Sequence, residues 1–304
     1  MKSTLLGAIC LSLAAAIWGG MYVVSKYVLD YVPPLTLVWF RYIVAFAVLY
    51  AALKWTRRGK EKLKLSKQDW KLFVWIGFIG YFASISFQFM GTKLSDAHTG
   101  ALVTSATPAF IVIFARLVLK ERITWAKLVA LLLSSVGVTF IIGYDGTHGD
   151  YFWGVLFLIG AALTWALLSV YAKVASVRHD TLTLTTYAVF FALLFTTPVM
   201  AWEIQTAQIQ LNTSVIFGIL YLGVISTAGA FFLWNKGMEL MDASVGALFF
   251  FLQPVVGTFF GWLLLGEQLE LNFLVGAVFI LLGVSITTFH KESLTDAKPL
   301  VQKS

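Results

Sequence analysis

Several aromatic and polar residues recur at helical spacing in otherwise apolar surroundings. Trp18, Tyr22 and Ser25 lie at i, i+4 and i+7 and so share one helix face. Tyr81, Ser84 and Gln88 repeat the pattern, as do Phe250, Gln253 and Gly257, while Gly100, Thr104 and Thr107 share a side just before Pro108. Uncharged polar groups in hydrocarbon need partners, so such faces turn inward, toward neighbouring helices or water. A lone Ser or Thr usually bonds a nearby backbone carbonyl. A glutamine amide, with donors and an acceptor, is harder to satisfy that way. Gln88 and Gln253 are therefore the better candidates for ligand contact. Trp18 and Trp165 either wall a cavity or pack an interior, and spacing admits both.

The ionisable residues narrow the chemistry. Arg41 is the one cation the pattern places well inside an apolar segment, several residues beyond Pro34. Facing inward it would hold a substrate carboxylate; snorkelling outward it would only anchor its helix. Lys26 and Lys173 sit near segment ends, where snorkelling is expected. Glu121 and Glu267 lie at short turns ahead of apolar segments, where carboxylates cap helix N-termini. Pro108 and Pro254 are expected to kink their helices and to free the carbonyls of Thr104 and Phe250. No Asp or Glu falls mid-segment, and His98 is the sole candidate for a proton relay. There is no paired carboxylate, no metal-spaced His/Cys/acid cluster, no Ser/His/acid set and no phosphate-binding glycine loop. These absences argue against an enzyme and imply no cofactor, metal or nucleotide. A membrane-embedded lipid-modifying enzyme would need acidic or histidine residues gathered at one interface.

Composition says what must position these residues. The chain has 304 residues, of which 59% are hydrophobic and 12% charged, against about 25% charged in soluble domains. It reads as an all-α polytopic membrane protein. A hydrocarbon core of about 30 Å takes about 20 apolar residues per helix. Spans are expected near 5–25, 35–53, 72–92, 97–119, 124–142, 152–172, 182–202, 214–235, 241–265 and 271–289. Lys2 precedes an apolar run, but the run continues past Ala16 to Tyr27 and suits a spanning helix better than a cleaved leader. Cys10 lies within that first span, and as the single cysteine it has no intramolecular disulfide partner. With ten spans and both termini in the cytoplasm, all of the 22 basic residues except Lys26, Arg41 and Lys93 fall on the inner side. The excess of positive charge, +7, points to anionic lipid and not to nucleic acid. The basic Lys54–Lys71 segment is read as a topology-setting loop.

The chain also repeats itself. At a constant offset of 146, Gly91, Leu94, Asp96, Ala97, Gly100 and Pro108 fall on Gly237, Leu240, Asp242, Ala243, Gly246 and Pro254. Phe114, Leu119, Glu121, Gly137 and Val138 fall on Phe260, Leu265, Glu267, Gly283 and Val284. Trp18 and Lys26 match Trp165 and Lys173 at an offset of 147. Five spans per copy is an odd number, so the second copy should enter the membrane inverted. Inverted repeats characterise secondary transporters whose substrate site lies at the seam. The expected organisation is residues 1–146, then an inverted copy at 147–290, then a cytoplasmic tail at 291–304, with a wet pocket between the copies.

Ile17-Trp18-Gly19-Gly20 with Lys26, Pro34 and Arg41, and the two stretches Thr107-Pro108 to Glu121-Arg122 and Gln253-Pro254 to Glu267, resemble the EamA-type transporters of the drug/metabolite transporter superfamily. The likeness covers about residues 5–288. It departs where Gly19-Gly20 becomes Ala166-Leu167 and where Arg41 lacks a basic counterpart. The resemblance implies a ten-helix carrier in the cytoplasmic membrane that exports amino acids or similar small metabolites, with an uptake carrier as the alternative. The lining expected is Trp18, Tyr22, Tyr81, Trp165 and Phe250 for apolar groups, with Arg41, Gln88, Thr104 and Gln253 supplying polarity. The substrate, the coupling ion and the oligomeric state, a monomer being compatible, are not set by the sequence.

Overall fold

The computed structural model describes residues 2–59, 65–94, 103–104, 106–142, 151–206, 208–265 and 271–289, and among them the regular structure is all helical. Helix α1 is Lys2–Leu29 and α2 is Pro34–Thr56. Helix α3, Lys67–Ile76, runs through a π-helical segment, Gly77–Ser84, into α4, Ile85–Leu94. Then come α5, Thr107–Phe114, with a π turn at Ala115–Leu119, and α6, Trp125–Ile142. The second half begins with α7, Tyr151–Ser176, and α8, Thr181–Glu203. Helix α9, Thr213–Tyr221, passes through a second π segment, Leu222–Gly229, into α10, Ala230–Leu240. Last are α11, Ala243–Ala247, a 3₁₀ turn at Leu248–Phe251, α12, Leu252–Leu265, and α13, Leu271–Phe289. Six continuous helical stretches among the described residues are long and apolar enough to cross a bilayer, and four shorter apolar ones accompany them.

Local chemistry sets the helix starts. Pro34 opens α2, where its missing N–H is no loss. Ser66 and Asp69 form a reciprocal capping box on α3, and the side chains of Asp180 and Asn212 accept from Thr183 N and Val215 N. The stretch between the expected spans 214–235 and 241–265 is helical through Leu240, where Asn235 finds buried partners and Lys236 pairs with Glu239 at 2.6 Å. Pro108 is the second residue of α5. Pro254 is the third of α12, directly after the 3₁₀ turn. Each therefore sits in a first turn, and the irregular backbone before Pro254 is buried at Leu248, Phe249 and Phe251, where protein covers it.

Packing joins the two halves in pairs that map onto each other under the sequence repeat. Helix α1 packs on α10 and α12, and its counterpart α7 packs on α4 and α5. Helix α2 meets the second π segment and α8 meets the first. The equivalent helices α2 and α8 pack on each other, as do α6 and α13. Both of these pairs run antiparallel. At one end of α2, Glu203 from the end of α8 accepts from Leu35 N, Thr36 N and Thr36 Oγ1 at 3.2, 2.6 and 2.8 Å. At the other end Arg57 pairs with Asp180 at 2.6 Å. Between α6 and α13 the backbones nearly touch: a Cβ on Gly137 would lie 2.6 Å from Gly276 O, and one on Gly283 would meet Ser134 Oγ and Ala130 O.

The end of the bundle bearing Arg57 is densely tied. Glu121 accepts from Ala243 N, Ser244 N and Ser244 Oγ at 2.8, 3.0 and 2.6 Å. It caps α11 in the other half and not the helix that follows it in sequence, so the expected cap exists but crosses the seam. Lys173 does not snorkel. Its ammonium donates to the carbonyls of Met238 and Met241, because α10 ends there with carbonyls unsatisfied. Glu267 lies outside the described residues, as does the side chain of Lys26.

Candidate substrate site

Six rings meet where the halves adjoin. Trp18 from α1 and Trp165 from α7, the repeat-related tryptophans, stand edge to face with centroids 5.3 Å apart. Trp18 also lies 5.4 Å from Trp234, 6.0 Å from Phe231 and 6.2 Å from Phe250. Tyr81, on the first π segment, stacks on Phe231 at 4.4 Å and approaches Trp165 at 6.2 Å. Trp234 closes on Phe250 at 5.7 Å. Such ring pairs each contribute about 0.5–1.5 kcal/mol beyond burial. At this depth the seam, expected to hold a wet pocket, is occupied by packed rings. The two readings left open for the tryptophans thus coincide: they fill the interface in this conformation, and they are the groups that would face any cavity opening there.

Polar groups surround the rings. Trp18 Nε1 donates to Ser226 O at 3.0 Å, and Trp234 Nε1 donates to Ser169 Oγ at 3.1 Å. On one side of the cluster Tyr42 donates to the Tyr81 carbonyl. There too Asn235 Nδ2 donates to Tyr81 OH at 2.7 Å and to Thr185 Oγ1 at 2.9 Å. Thr185 spends its own proton on Thr181 O, so the amide orientation is fixed. On another side Arg41, 2% exposed, reaches inward from α2. Its Nε donates to Thr227 Oγ1 at 3.1 Å, its Nη2 contacts Met21 Sδ at 3.6 Å, and its Cζ lies 5.8 Å from the Phe89 centroid. Thr227 in turn donates its side-chain proton to Leu222 O at 2.7 Å, five residues back in the π segment.

Four buried atoms at the cluster have no partner: Arg41 Nη1, Trp165 Nε1, Gln253 Nε2 and Asn235 Oδ1. Each such atom costs roughly 1–3 kcal/mol while it stays unpaired, and a charged group more. These orphaned polar groups are ones a polar ligand at the seam would complete. Among the described residues no three His, Cys, Asp or Glu side chains come together as a metal site would require.

Of the residues singled out in sequence, the fold brings Trp18, Tyr81, Trp165 and Phe250 into one cluster. Gln253 lies beside it, its carbonyl against Gly19 of α1. Gln88 is half-buried on α4, and Thr104 is buried ahead of α5. The Thr104 carbonyl is not free, since Thr107 Oγ1 donates to it at 2.6 Å. The Tyr22 side chain and His98 lie outside the described residues. Sequence reasoning missed Tyr42, Phe231, Trp234, Asn235 and Thr227. Phe231, Trp234 and Asn235 do carry a signal, i, i+3 and i+4 on one helix face, but the polar run after Trp234 read as a loop.

A multi-pass, all-helical membrane protein whose halves meet at an aromatic and polar seam is the class these features define. The EamA-like transporter family profile matches residues 5–143 and 152–289, once per half. The chain belongs to that family. "Uncharacterized transporter YoaV" of Bacillus subtilis is 25% identical over 95% of this chain and 98% of its own length. "Uncharacterized transporter YetK" of the same organism is 27% identical over 97% and 90%. The "Putative permease-like protein YdzE", also from Bacillus subtilis, is 55% identical over 24% of this chain and 94% of its own. A protein of known crystal structure shares the fold, with a TM-score of 0.78 at 23% identity, covering 94% of this chain and 96% of that one.

Proposed function

We propose that the protein is a secondary carrier that moves amino acids or similar small metabolites across the cytoplasmic membrane, as an exporter, by alternating access. In this reading the short apolar helices complete ten crossings, and the second five-helix copy is inverted relative to the first. The observation that carries the reading is the exchange symmetry of the packing. The principal packing pairs of one half, α1 on α10 and α12 and α2 on the second π segment, have counterparts in the other, α7 on α4 and α5 and α8 on the first π segment, and the two sets meet at Trp18 and Trp165. Two interlocked copies of opposite sense can open to either face at similar cost. The end laced by Arg57, Glu121 and Lys173 is the cytoplasmic one, by its basic residues, and it is closed in this conformation.

Counterflow in proteoliposomes tests the proposal. Liposomes loaded with a candidate amino acid should accumulate the labelled compound faster than protein-free liposomes. If no amino acid or related metabolite does so, the carrier reading falls.

A further inference from the structure

Within that carrier reading, we infer that the group recognised in the cargo is a carboxylate, held at Arg41, and that the cargo needs no amino group. The guanidinium is buried between α1, α2, α4 and the second π segment. No carboxylate among the described residues forms an ion pair with it, and Nη1 has no partner at all. A sulfur, a hydroxyl and a ring face are poor compensation for a charge removed from water. A carboxylate would supply both the missing charge and the missing acceptor.

The site adjoins the rings. Arg41 Nε bonds Thr227, and Trp18 Nε1 bonds the carbonyl of the preceding residue, Ser226. Met21, which touches both Arg41 and Ser226 Oγ, stands one helical turn beyond Trp18 on α1, a rise of about 5 Å. A carboxylate at Arg41 therefore places the apolar body attached to it against Trp18 and its neighbours.

The orphaned atoms give the polarity of the cargo. Arg41 Nη1, Trp165 Nε1 and Gln253 Nε2 can only donate, whereas Asn235 Oδ1 is the single obligate acceptor among them. The buried hydroxyls of Ser25, on α1, and Ser86, three residues before Phe89 on α4, are also without partners and can donate. The seam thus offers donors to a ligand rich in acceptors. It presents no described carboxylate that would pair with an ammonium. Arg41 falls on Ala188 at an offset of 147, so the cation is built on one side of the pseudo-symmetric seam only.

The test is a ligand series on the purified protein in detergent, read by quenching of tryptophan fluorescence and by thermal shift. The probes are 3-phenylpropionate, L-phenylalanine, L-phenylalanine methyl ester and 2-phenylethylamine. The two carboxylates should bind within about threefold of each other. The ester and the amine should bind about thirtyfold more weakly or worse, the usual loss when a buried charge pair is broken. Arg41→Gln should abolish the advantage of acid over ester, and Arg41→Lys should restore part of it. A merely structural Arg41 would lower the melting temperature without changing the acid-to-ester ratio. Equal binding of acid and ester to the unmodified protein overturns the inference whether or not the variants fold, and so does an amine that outcompetes both acids or a series in which nothing binds. Counterflow separates this failure from that of the carrier reading. Exchange of amines or neutral metabolites alone sinks the carboxylate and leaves the carrier, while carboxylates that bind but never cross do the reverse.

Discussion

The phenol of Tyr81 accepts from Asn235 and its ring stacks on Phe231, whereas the amide nitrogen of Gln253 is buried with no partner. The two side chains should respond oppositely to deletion of their polar atoms. Tyr81→Phe leaves one Asn235 N–H unsatisfied and should cost about 1–3 kcal/mol of stability, visible as a lower melting temperature. Gln253→Leu keeps volume and removes an orphaned donor. Its melting temperature should hold or rise while the apparent affinity in counterflow falls severalfold. A variant that melts earlier and transports with unchanged affinity would make Gln253 a packing residue. Trp165 shares this logic, since its indole N–H is unpaired while that of Trp18 is engaged.

At the scale of elements, helix ends hold the halves together. Asp180 caps its own helix through Thr183 N at 2.9 Å and binds Arg57 of the other half at 2.6 Å. Burial is the largest single influence on its carboxyl and pushes the pKa up. The Thr183 amide, the Thr183 hydroxyl and Arg57 together outweigh it, and the pKa lies below its ordinary value of 3.8. A lowered pKa means the carboxylate stabilises the fold above that ordinary value, and the contribution fades as the pH drops through the folded-state pKa. Asp180→Asn should therefore melt earlier than the unmodified protein at pH 7, with the gap closing under strongly acidic conditions. A gap independent of pH would show that the cap geometry matters and the charge does not. Gly137 tests the antiparallel contact of α6 and α13. With 2.6 Å to Gly276 O, Gly137→Leu forces the backbones apart and should cost about 1–3 kcal/mol, measured as a lower melting temperature. Gly229, where an added Cβ meets only a carbonyl at 3.4 Å, should tolerate Ala.

For the whole molecule, the inverted arrangement proposed above predicts which ends face which compartment. Gln68, exposed in the first turn of α3, and Gln205, exposed after α8, lie at opposite ends of the bundle. The natural Cys10 is 7% exposed and should stay silent. A membrane-impermeant maleimide applied to intact cells should label Gln205→Cys at once and Gln68→Cys only after permeabilisation. Labelling of both from one side contradicts the crossing pattern, and the reverse order contradicts the orientation.

Hydropathy places the six membrane-length helical stretches to within about five residues of their described ends, because lipid demands long apolar runs with every backbone group satisfied internally. The same logic singles out Trp18, Tyr81, Trp165 and Phe250 from the sequence, through spacing and, for the two tryptophans, through the match of one copy to the other. It could not reach what depends on a partner distant in sequence. Glu121 and Lys173 had unfilled helix ends within reach only after the other half folded against them. Asn235 stands at the end of its expected span, and only the fold sets Tyr81 and Thr185 beside it. Whether Arg41 pointed into the protein or out to lipid was settled by Thr227, 186 residues away. Apolar periodicity is written locally, whereas the satisfaction of a buried polar atom is decided by whatever the fold sets next to it.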